Sequence, residues 1–198
     1  MKRFTQLIGS GMMMMFSAAA CGSPADETGG SSQPAPTPFA GKKVLVAYYS
    51  HSGNTRAVAQ QIAQAVGGDL FAVETVQTYP DAYNQLTAQA QQEIRAGFMP
   101  ELKDTVPNMA QYDVVFIGSP NWWGTYAPAV KSFLAQYDFS GKQLVPFFTH
   151  GGGGMQHCES DMHTQLPQAK FRPAATFPGR SSGANAAQLA VWLNKLAQ

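Results

Sequence analysis

The chain has 198 residues, 44% of them hydrophobic, and 13 Lys and Arg stand against 12 Asp and Glu for a formal net charge of +1. So even a balance offers no basic face for nucleic acid. The 2 cysteines, Cys21 and Cys158, are too few for a disulfide framework.

At the N-terminus, Lys2 and Arg3 precede a moderately apolar segment from Phe4 to Phe16 that includes Met12 to Met15. Ser17, Ala18, Ala19 and Ala20 then lead to Cys21. This is the layout of a signal peptide over residues 1–20, too short and too interrupted by Gly9, Ser10 and Gly11 for a membrane-spanning helix. The small residues ending at Cys21 resemble the lipobox of bacterial lipoproteins. That resemblance implies lipidation of Cys21 and a domain exported to the periplasmic or cell-surface side of a bacterial membrane. Ordinary cleavage at the small-residue site, leaving a soluble periplasmic protein, is the alternative. With Cys21 lipidated, Cys158 has no disulfide partner. Residues 22–40 are rich in Gly, Ser and Pro, including Pro24, Gly29, Gly30, Pro34, Pro36 and Pro38, and bury too little surface to offset their ordering entropy. They read as a flexible linker to one globular domain over residues 41–198.

The domain opens on an apolar run, Val44 to Tyr49, that suits a strand buried on both faces. Ser50, His51, Ser52, Gly53, Asn54 and Thr55 follow, and then Val58, Ile62, Ala65 and Val66 recur at helical spacing. The first N–H groups of a helix lack intrahelical partners and lie at the positive end of its dipole, so a hydroxyl-rich loop there suits a phosphate. No GxxxxGK[ST] or GxGxxG follows this strand, so the hydroxyls must do what glycines and lysine do elsewhere. The same letters also read as an ordinary Ser or Asn helix cap.

Gly67 and Gly68 stop the helix, and Leu70 to Val76 reads as a second strand. A turn through Thr78, Tyr79, Pro80, Asp81 and Tyr83 leads to a helix over Asn84 to Phe98, and Pro100 to Met109 is a loop. Asp113 to Gly118 gives a third strand, followed by a loop holding Ser119, Pro120, Asn121, Trp122, Trp123, Gly124 and Tyr126. A helix over Pro128 to Tyr137 comes next, then a strand over Leu144 to Thr149 and a glycine loop from His150 through Gly154. A last short strand over Phe171 to Phe177 and a helix over Ala184 to Leu196 close the chain. Alternation of this kind calls for an α/β fold with a parallel sheet and helices on both faces.

Trp122 and Trp123 offer planar surfaces to a planar ligand, although one of them is expected to pack beneath the loop as core. The glycines from Gly151 to Gly154 let backbone groups approach a ligand closely, or else form a flexible lid. His157, Cys158, Glu159, Asp161 and His163 show no CxxC or HExxH spacing, so they predict no metal site, and a lone Cys158 is more often inert than nucleophilic. No Ser-His-Asp set is spaced for hydrolysis.

The S-x-S-G-N-T string at Ser50, Ser52, Gly53, Asn54 and Thr55 resembles the FMN-phosphate loop of flavodoxins. S-P-x-W-W-G at Ser119 to Gly124 and T-x-G-G-G-G at Thr149 to Gly154 are similar to the positions that hold the isoalloxazine in that family. The resemblance implies a three-layer flavodoxin-like fold with a five-stranded parallel sheet in the order 2-1-3-4-5. It further implies FMN bound by Ser50, His51, Ser52, Gly53, Asn54, Thr55, Pro120, Asn121, Trp122, Trp123, Gly124, Thr149, His150, Gly151, Gly152 and Gly153. The function so implied is electron transfer with redox proteins or small donors and acceptors. An FMN-dependent NAD(P)H:quinone-type oxidoreductase and a non-redox module for another phosphorylated ligand are the alternatives.

Overall fold

A computed structural model describes residues 39–179 and 182–197. The expected signal peptide, Cys21 and the expected linker up to residue 38 lie outside the described residues. Phe39, at the end of the expected linker, is buried edge-on against Phe116.

Strand β1 (Val44–Tyr48) is buried along its whole length, and helix α1 (Asn54–Val66) follows it. Strand β2 (Asp69–Ala72) is shorter than expected, because Thr75 leaves the sheet to form an isolated antiparallel bridge with Leu102. Helix α2 (Tyr83–Ala96) leads through a 3-10 turn at Met109–Gln111 to strand β3 (Val114–Trp122). Then come β4 (Thr125–Tyr126), α3 (Pro128–Gln136), β5 (Gln143–His150), α4 (Cys158–Gln165), β6 (Lys170–Phe171), β7 (Ala175–Pro178) and α5 (Ser182–Leu196).

The sheet runs β2-β1-β3-β5-β6, with β7 also on β5, and these pairings are all parallel. That is the 2-1-3-4-5 order, but the sheet has 7 strands where five were expected. Two local causes account for the difference. Strand β3 runs on to Trp122 and folds back as a hairpin with β4. The expected last strand is split in two around Pro173, which has no N–H to donate to β5.

Alternate residues of the central strands feed opposite cores, as the period of two requires. Leu45, Ala47, Val115, Ile117, Leu144 and Phe148 pack with α3 and α4 through Phe133, Leu134, Cys158 and Met162. Val44, Val46, Val114, Phe116, Val145 and Phe147 pack with α1 and α5 through Ile62, Val66, Trp192 and Leu193. Both faces are thereby closed, so a ligand is left the sheet edge where the strands end. Gly118 sits in register with Phe147, and a Cβ built on it would lie 2.2 Å from the phenyl ring. Gly118→Ala should therefore destabilise the protein by about 1–3 kcal/mol through overpacking. Chemical denaturation of the variant beside the parent checks this; an unchanged midpoint would show that Phe147 yields freely.

Candidate functional site

The C-terminal ends of β1, β3 and β5 meet where the chain leaves toward α1 on one face and α3 on the other, the switch point at which open α/β sheets bind ligands. Here the loop after β1 turns into α1 through Gly53, at φ 86°, with no side-chain hydrogen bond capping the helix. A conventional Ser or Asn cap is therefore absent. The Asn54 amide donates instead to Ser52 Oγ at 3.0 Å, and the first N–H groups of α1 are left facing outward from its positive end. Thr55 Oγ1 lies 2.8 Å from Thr149 Oγ1, tying the loop after β1 to the end of β5. Two hydroxyls share one hydrogen bond there, so one proton stays free for another acceptor. Ser50 Oγ is buried without any hydrogen-bond partner. Such a group costs free energy until something accepts from it or donates to it.

The end of β3 builds the aromatic wall. Trp123 and Gly124, at φ 53° and 91°, are the two turn residues of the β3–β4 hairpin. Positive φ at both positions is the type I′ pattern, which favours Asn-Gly. A tryptophan at the first position is strained, and the surroundings hold it there. Asn121 Oδ1 accepts from the Gly124 N–H at 3.0 Å, Asn121 Nδ2 donates to Gly154 O at 2.7 Å, and the Trp123 indole donates to Thr87 O at 2.9 Å. Trp122 is the inward one of the pair. It is half-buried and edge-on to Tyr79 at 5.0 Å and Tyr49 at 5.5 Å, while Trp123 is 57% exposed.

The glycine loop after β5 supplies backbone. Gly152 donates its N–H to His150 Nδ1 at 3.0 Å, and side chains built on Gly151 or Gly152 would meet open space. Together these loops border a cleft of about 1000 Å³. His51, Ser52, Asn54, Thr55, Pro120, Asn121, Trp122, Trp123, Gly124, Thr149, His150, Gly151 and Gly153 all line it, whereas Ser50, Gly53 and Gly152 do not. One wall was missed from the sequence: Asp81, Tyr83, Leu86, Thr87 and Ala90, from the start of α2 and the turn before it, together with Gln156. Tyr83, 75% exposed beside the Pro80-Asp81 turn, was the available signal, an aromatic residue where a turn needs none.

Among the described residues no group of three or more His, Cys, Asp or Glu is gathered for a metal. Cys158 is buried in the α3–α4 core, and burial, with the Asp161 carboxylate second, pushes its thiol up to about 12. It is protonated at neutral pH and makes a poor nucleophile. His163 is stacked on Phe171 at 4.0 Å.

Known proteins share this fold. A structure from Bacteroides eggerthii, described as a flavoprotein, superposes with a TM-score of 0.66 at 30% identity, covering 76% of this chain and 98% of that one. A flavoprotein from Lactobacillus acidophilus, solved in complex with FMN, superposes with a TM-score of 0.65 at 24% identity over 76% of this chain and 98% of its own. An NAD(P)H dehydrogenase (quinone) of Paracoccus denitrificans is 34% identical over 98 residues, and the match covers 47% of this chain and 43% of that protein. The chain thus spans less than half the length of that curated relative. The profile of the family described as Flavodoxin matches residues 43–196, from the lysine before β1 to the last residue of α5, so the chain belongs to the flavodoxin family.

Proposed function

We propose that this protein binds FMN in the cleft and moves electrons, as an exported domain held at a membrane by a lipid on Cys21. The observation that carries the cofactor is the loop entering α1, where Ser52, Asn54 and Thr55 line the cleft at a helix N-terminus without a side-chain cap and the neighbouring Ser50 Oγ has no partner. A phosphate dianion fits that chemistry, since it accepts from hydroxyls and backbone N–H groups together. Ser50, Ser52, Asn54 and Thr55 would hold the phosphate, Trp122 and Trp123 would flank the ring, and the backbone of Gly151 and Gly153 would reach its polar edge. When bound, FMN supplies a ring that accepts and releases electrons. The chain's own residues would bind and orient it, with Trp122, packed on Tyr49 and Tyr79, covering one side of the cleft. Membership of the flavodoxin family supports this reading, and the FMN held by the L. acidophilus neighbour is consistent with it.

The similarity to the P. denitrificans NAD(P)H dehydrogenase (quinone) favours a second reading, a flavin-dependent reductase of small acceptors. The visible spectrum of the purified protein, before and after NADH or NADPH, separates the possibilities. A bound flavin that bleaches only with a strong chemical reductant is the expected result. Bleaching on mixing with the nicotinamide would make the protein a reductase, and absence of any flavin would leave a module for another phosphorylated ligand.

Ser50→Ala should act with opposite signs on the two states. It removes an unsatisfied buried hydroxyl and so raises the stability of the free protein by about 1 kcal/mol, while loosening FMN by about 1–3 kcal/mol. Riboflavin, which lacks the phosphate, should hardly notice the change. Equal losses for both ligands, measured by flavin fluorescence titration, would put the phosphate elsewhere. Cys21→Ser should move the protein from the membrane fraction to the soluble one, because the linker is polar and has no other anchor. Retention of the variant in the membrane fraction would refute the lipid tether.

A further inference from the structure

Helix α2 gives the cleft Leu86, Thr87 and Ala90, yet it is lightly packed: of its 14 residues, Leu86 and Ala90 are the buried ones. A helix with so few apolar contacts stays in place only if something else holds it. Near its start, Thr87 O accepts from the Trp123 indole. Near its end, the Tyr79 hydroxyl donates to Glu93 Oε2 at 2.5 Å, and Glu93 Oε1 accepts from Gln89 Nε2 at 2.8 Å. Glu93 is half-buried, and the ion pairs among the described residues, Lys43–Asp69 and Lys103–Glu74, do not include it. A carboxylate sheltered without a cation is a costly way to hold a helix, and what it provides in return is a strong, directional bond to one phenol.

That phenol belongs to the aromatic wall. The buried Tyr79 ring stands edge-on to Trp122 at 5.0 Å and 76°, and both rings also meet Tyr49, at 6.0 Å and 5.5 Å. We infer that Glu93 and Tyr79 are positioning residues: Glu93 fixes the phenol, the phenol ring fixes Trp122, and Trp122 then presents a fixed face to the cleft. The inference rests on the FMN reading for its consequence in the bound state, and on these contacts alone in the free state. Rigid support of this kind is what keeps a binding surface in its productive geometry.

The test uses the full chain with Tyr79→Phe, Glu93→Ala and Glu93→Gln. The glutamine keeps an oxygen that accepts from Tyr79, and the alanine does not. Tyr79→Phe and Glu93→Ala should each weaken FMN about tenfold and Glu93→Gln should restore most of that loss, since about one net hydrogen bond is at stake. In the unliganded protein, the near-UV circular dichroism of Trp122, taken as the difference from Trp122→Phe, should shrink in the first two variants and recover in the third. Parental FMN affinity and a parental Trp122 signal in Tyr79→Phe and Glu93→Ala would overturn the inference, even with a lowered melting temperature, because the pair would then only hold the fold. A parent that takes up no FMN would sink the proposed function instead. The unliganded Trp122 signals still decide the positioning in that case: loss with rescue supports it, and no loss overturns it.

Discussion

Helix α1 begins without a side-chain cap, and much of the site is arranged around that open N-terminus. A cap would satisfy the first N–H groups locally and stabilise the helix by about 1 kcal/mol, but it would also occupy the donors an anion needs. Here the backbone turns at Gly53 in a left-handed conformation and the Asn54 amide is drawn to Ser52. Thr149 comes across from β5 to engage Thr55. Gly179, just past β7, has no Cβ where one would lie 2.8 Å from the Asn54 amide nitrogen. Elements distant in sequence have thus been shaped to leave one loop unoccupied by its own side chains.

A second departure from local stability lies at the β3–β4 hairpin. Asparagine before Gly124 would suit the turn better than Trp123, whose φ of 53° is unfavourable for a bulky side chain. Asn121 compensates by bridging the hairpin to the loop after β5, and the Trp123 indole is satisfied by α2. Trp123 takes its positive φ at the cleft and Ser50 carries an unpartnered buried hydroxyl beside it, but Asn108 also has a positive φ, and Arg172 Nε, Thr176 Oγ1 and Asn185 Oδ1 are likewise unpartnered without lining the cleft.

The same contrast separates the candidate reactive groups. Cys158 and the ionisable residues around it look chemical in one dimension, but the fold buries the thiol among Phe133, Leu134 and Met162 of one core and raises its pKa. Ser50 looks like an ordinary turn serine, yet the fold leaves its hydroxyl buried and unpaired. Reactivity follows from environment, and environment is set by packing.

How much of this was legible in the sequence depended on the range of the interaction. Continuous apolar runs at Val44–Tyr49 and Val114–Gly118 mark doubly buried strands because a strand covered on both faces has no polar side to show. The hydroxyl loop, the tryptophan pair and the glycine run announce themselves by composition, and their order along alternating strands and helices is enough to imply the parallel sheet and its switch point. The splitting of the last strand at Pro173 was also there to be read, because a proline cannot donate to its neighbour. Other features belong to the tertiary structure alone. Only the folded chain decides that Trp122, the last residue of β3, faces inward and Trp123, the first of the turn, outward, since the choice follows from Tyr49, Tyr79 and Thr87. Only it brings α2 to the cleft, because that helix is placed by contacts with residues far along the chain and little in its own pattern points it there. Local sequence determined the elements and the chemistry each loop offers; the meeting of those loops, and the orientation of each side chain within them, came from long-range packing that no single segment encodes.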